Sequence, residues 1–121
     1  MGQTAERALY PFTFIFTHED SGWCALACEV DVASCGGNID EAREGLKEAV
    51  GLYLSYMIEH GLRDEVARPV PHSDLAELCQ GEHVIEYHAA IVEIITRPAI
   101  HIGTEFLRSE LTPADCRYAL A

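Results

Sequence analysis

Residues 10–61, YPFTFIFTHEDSGWCALACEVDVASCGGNIDEAREGLKEAVGLYLSYMIEHG, decide the fold. Tyr10, Phe12, Phe14 and Phe16 fall on one face at period two, with Thr13, Ile15 and Thr17 on the other, which predicts a half-buried strand over 11–18. Asp20-Ser21-Gly22 supplies turn chemistry. A second strand follows over 23–30 and must pair antiparallel with the first, because so short a loop permits nothing else. Residues 31–38 form a link in which Cys35 sits in a brief third strand. Asn38 or Asp40 caps a long helix whose core stripe is Ala42, Leu46, Ala49, Val50, Tyr53 and Met57, and Gly61 ends it.

The second half of that helix adds Leu52, Leu54, Tyr56 and Ile58, which makes it apolar almost all round. Such a helix is covered on both sides, by the C-terminal segment or by another subunit. These residues are therefore the candidate oligomer or partner interface.

Outward from this stretch, residues 1–8 read as a loose polar tail and 62–71 as a charged linker running into extended Pro69-Val70-Pro71. Ser73 is the expected cap of a short helix ending before Gly81. Residues 84–95, rich in Val and Ile, predict a strand that is central in the sheet or covered on both faces. After Pro98, residues 99–102 read as an edge strand. Thr104 then caps a short helix to Leu111, and Thr112-Pro113 starts another. The expected class is α+β: an antiparallel sheet of three to four strands in β-β-β-α-β order on one long helix, with short C-terminal helices. With 121 residues the chain is expected to be a single domain, its last part (72–121) packing on the core.

Composition narrows the function. Twenty acidic residues against eight basic ones give a net charge of −12, and the bases form no run. Phosphate neutralisation needs clustered Lys and Arg, so autonomous nucleic-acid binding is not expected. An acidic surface suits docking to a basic protein. The absence of a long apolar run or a basic-then-apolar N-terminus predicts a cytoplasmic protein with no membrane association. The five cysteines, an odd number in strand-like and helix-like text, are expected to be reduced thiols serving as small apolar residues. Cys24 and Cys28 lie roughly 13 Å apart along one strand, too far to share a metal. His83 and His88 face opposite sides of theirs. Gly36-Gly37 lacks both GxGxxG and GK[ST] context. No catalytic, cofactor-binding or metal-binding residue is expected.

The residues from Tyr10 to Pro71 resemble the HicB family of antitoxin-like proteins. Gly22-Trp23 fit the family's turn, Asp31-Val32 and Cys35 its strand exit, and Gly37-Asn38 with Glu41-Ala42 its helix start. Ala33-Ser34 stand where the family has Pro-Gly. The resemblance implies a partial ribonuclease-H-like fold and a non-catalytic antitoxin, or a stand-alone relative, that masks a small basic HicA-type ribonuclease toxin. The all-round apolar half of the helix points to a homo-oligomer, a dimer or tetramer. The other reading is an oligomeric small-molecule-binding or regulatory module of the same fold with no toxin partner.

Overall fold

The computed structural model describes residues 5–96 and 100–108. Its elements are β1 (Ala5–Glu19), β2 (Gly22–Ala27), β3 (Val32–Gly36), α1 (Ile39–Glu59), a 3-10 turn (Arg63–Glu65), α2 (His72–Leu78), β4 (His83–Thr96) and β5 (Ile100–Arg108). The strands form one antiparallel five-stranded sheet in the order β3-β2-β1-β4-β5. The class is α+β, as the sequence predicts, with more strand than expected.

The aromatic strand behaves as its period requires. Phe12, Phe14 and Phe16 are buried against Ala42, Leu46, Val50 and Leu54 of α1. Each such large apolar side chain contributes roughly 2 kcal/mol of burial free energy. On the opposite face, Ile15 and Cys28 pack with Val70 and Leu75. The chain reaches that face by crossing the sheet edge after α1. The crossing is fastened by Tyr53 Oη donating to the Val66 carbonyl (2.7 Å). Arg68 N–H donates to the Glu29 carbonyl (2.9 Å) and Val70 N–H to that of Cys28 (2.9 Å).

Helix α1 begins where the caps say it should. Asn38 Oδ1 accepts from Glu41 N–H at 2.8 Å, with Asp40 and Glu41 in the first turn. Gly61 ends it at φ 71°, with Leu62 N–H donating to the Met57 carbonyl (2.8 Å) in a left-handed terminal turn.

Five expectations need correction. The helix from Thr104 does not form over the described residues, because 100–108 pair with β4 from Thr96↔Ile100 to His88↔Arg108. Strand pairing along the Val/Ile-rich edge of β4 overrides the local cap signal. The helix start at Thr112 lies outside the described residues. Residues 5–8 are strand rather than loose tail, since the far half of β4 pairs with them (Ala5↔Ile95 to Ala8↔Val92). Strand β2 stops at Ala27, where Val30 and Asp31 N–H both turn back to its carbonyl and Asp31 takes φ 54°. Pro71, not Ser73, holds the N-cap position of α2, without a side-chain cap bond. Finally, Cys24 and Cys35 are joined in a disulfide, because the register sets them directly opposite one another; among the described residues, Cys28 and Cys79 take part in no disulfide.

Candidate partner-docking site

Helix α1 carries an exposed apolar pair in line with a row of carboxylates. Leu54 and Ile58 continue the buried stripe of Ala42, Leu46 and Val50 and lie in the core (0% and 7% exposed). At about 100° per residue, Leu52 and Tyr56 point the other way and are 66% and 55% exposed. The four candidate interface residues thus divide, two into the core and two onto the surface. Glu41, Glu44 and Glu48 step along the same outer face toward Leu52 and Tyr56, and Glu59 follows; all are exposed. Lys47, 3.4 Å from Glu44, is the local counter-charge. The Tyr56 ring stacks on His60 (4.1 Å between centroids), whose Nδ1 donates to the Tyr56 carbonyl at 2.8 Å. Beside this stripe lies a shallow depression of about 510 Å3, lined by Lys47, Gly51, Leu52, Ser55 and Phe106 among others. Two exposed apolar anchors behind a row of carboxylates suit a partner that presents an apolar contact flanked by cations.

A second concavity sits where β2 stops and β1 runs on. It is about 370 Å3 and is lined in part by Tyr10, Pro11, Glu29, Val30, Arg63 and Val66. Glu29 is 2% exposed. Thr13 N–H donates to both its carboxylate oxygens (2.8 and 2.9 Å), and Thr13 Oγ1 donates at 2.9 Å. The carboxylate replaces the strand carbonyl that β2 no longer offers. Burial pushes its pKa from the usual 4.5 up to about 7, while the Thr13 bonds pull the other way. Arg63, on the rim, pairs with Glu6 at 2.7 Å.

A third polar group lies between α1 and β4. Arg43 holds Glu86 through Nε (2.8 Å) and Nη2 (2.6 Å) and reaches Asp40 through Nη1 (2.6 Å). His88, fully buried, meets Glu86 Oε1 through Nε2 at 2.8 Å and stacks on Phe14 (4.3 Å). Glu86 raises the Arg43 pKa further above its already high value. This bidentate pairing ties the first turns of α1 to β4. His83 is at the turn, with Nδ1 2.8 Å from the Gly81 carbonyl. The sequence reading put His83 and His88 on opposite faces but missed Arg43 and Glu86. A signal was there: Glu86 and His88 share the parity of Ala90 and Val92, which face the helix.

Among the described residues, no group of three or more His, Cys, Asp or Glu is placed to hold a metal ion. No helix among them is long and apolar enough to cross a membrane. Compared with known proteins, the chain matches no protein-family model, no curated protein and no solved structure.

Proposed function

We propose that this chain is a non-catalytic interaction protein of the HicB-like kind, acting in the cytoplasm by masking a small basic ribonuclease. The observation that carries the reading is the outer stripe of α1, where Leu52 and Tyr56 lie exposed in line with Glu41, Glu44 and Glu48 on a chain of net charge −12. The partial ribonuclease-H-like fold belongs to the same proposal. It is supported by an antiparallel β1-β2-β3 unit followed by one long helix lying across its aromatic face. Homo-oligomerisation belongs to it too, since an exposed Leu–Tyr pair on a helix suits subunit contact.

The test is co-purification from the native cell lysate, with light scattering on the eluted complex. A small basic protein at fixed stoichiometry, lost with Leu52→Asp and Tyr56→Asp, is the expected result. Retention of that partner by both variants would move the interface elsewhere on the molecule. A clean homo-oligomer with no partner would favour the small-molecule-binding reading. For that reading the concavity of about 370 Å3 beside Glu29 is the supporting observation.

A further inference from the structure

We infer that the Cys24–Cys35 pair is a thiol–disulfide exchange site, opened in the folded protein by a dithiol reductant, rather than a staple that the fold requires. Three observations converge on it.

The first is position. Cys28 N–H donates to Thr13 of β1, so Cys24, two strand periods away, directs its backbone to β1 as well. Cys24 and Cys35 are then a non-hydrogen-bonded cross-strand pair, with Cα atoms 4.1 Å apart. The bond joins β2 to β3, an outer strand of the sheet.

The second is access. Cys35 is exposed and Cys24 half-buried, whereas Cys28 is buried. The pair lines an open depression of about 310 Å3 walled by Glu19, Ser21 and Trp23, to which Gly22, Gly36 and Gly37 add no side chain. A thiolate can therefore reach Cys35 Sγ through this depression, whereas Cys28 is closed off in the core.

The third is dispensability. Strand β3 is held from its other face by α1. A methyl group at Gly36 would lie 2.7 Å from the Ala42 nitrogen, and one at Gly45 2.5 Å from Ser34 Oγ, so helix and strand are already in close contact. Breaking the disulfide leaves that packing in place.

The exchange balances as follows. A thiolate of the reductant attacks Cys35 Sγ, the bond to Cys24 Sγ breaks, and Cys24 leaves as a thiolate that takes a proton from solvent. The second thiol of the reductant then attacks the mixed disulfide and releases Cys35 as a thiol. Two electrons and two protons pass to the chain, and the dithiol becomes a disulfide. The result is a β3 that keeps its pairing with β2 and its packing on α1 but loses the covalent tie, at the strand that feeds the N-cap of α1.

The experiment is native-state alkylation with mass spectrometry, in dithiothreitol and without denaturant, alongside amide exchange. Cys24 and Cys35 are expected to become alkylated while Cys28 stays protected. Amides of residues 32–36 should exchange at least about tenfold faster, with β1 and β4 unchanged. A disulfide reducible only after denaturation, loss of protection across the whole sheet on reduction, or no disulfide in protein purified without reductant would each overturn the inference. Single variants test the order of attack. With oxidised glutathione, Cys24→Ser should form a mixed disulfide at Cys35 about tenfold faster than Cys35→Ser does at Cys24. Equal or reversed rates would refute Cys35 as the attacked sulfur.

Discussion

Glu29→Gln removes one buried titration and leaves a shape that Thr13 can still bond. Glu29 is 2% exposed, and its pKa rises from 4.5 to about 7 on folding because burial penalises the charge. The folded state therefore binds a proton more tightly than the unfolded chain. Wild-type stability should be greatest below about pH 4.5 as far as this group is concerned, fall as pH rises toward 7, and level off above it. The shift corresponds to about 3 kcal/mol, or roughly 10 °C in melting temperature for a chain of this size. The glutamine variant lacks this loss. Urea denaturation of both proteins at pH 5 and pH 8.5 isolates the effect, since every other titrating group is common to the two. The variant should gain on the wild type by up to about 3 kcal/mol between those pH values. A difference that does not change with pH would refute the burial argument. A wild type that gains relative to the variant would show that the Thr13 hydrogen bonds outweigh burial.

Arg43→Met strips Glu86 of its bidentate partner and should cost about 3 kcal/mol in urea denaturation, with much of the loss recovered when Glu86→Leu is added. Gly36→Ala places a methyl 2.7 Å from the Ala42 nitrogen; chemical denaturation should show a loss of about 2 kcal/mol. Gly61→Ala forces a side chain into φ 71° and should cost about 1 kcal/mol, with Gly61→Asn milder, as read by thermal melts.

What the sequence made legible was whatever local geometry dictates. Period two in Phe12, Phe14 and Phe16, the Asn38 cap, the Gly61 stop and the stripe from Ala42 to Met57 all follow from the shape of one strand or one helix turn. What it hid depends on residues distant in the chain. Thr104 is a sound helix cap by itself, yet strand pairing puts it opposite Val92. The Cys24–Cys35 bond could be read only from the β2–β3 register, which requires knowing that β2 turns back at Ala27 rather than at Val30. Of the four candidate interface residues, Leu52 and Tyr56 are exposed and Leu54 and Ile58 are buried. Counting Leu52 through Ile58 as apolar all round was correct, but the facing of each residue is fixed by a core stripe that needs Leu54 and Ile58 for itself.

The polar interior escaped notice for a related reason: a Glu or His in strand text reads as solvent-facing, and no local rule says otherwise. Its placement nonetheless bears on the proposed docking role of α1. Arg43–Glu86 fastens one end of α1 to β4, and the bonds from Tyr53 to Val66 and from Arg68 to Glu29 fasten the segment that leaves the other end. With both ends tied, the helix holds Leu52 and Tyr56 on a fixed backbone. A partner docking there pays for ordering side chains but not a loop, and that lower entropic cost favours affinity from a small apolar contact. The same argument ties the buried network to binding. Loosening α1 through Arg43→Met should weaken partner capture although Arg43 lies on the core side of the helix. A variant that loses stability yet captures the partner with unchanged affinity would separate the network from the docking face.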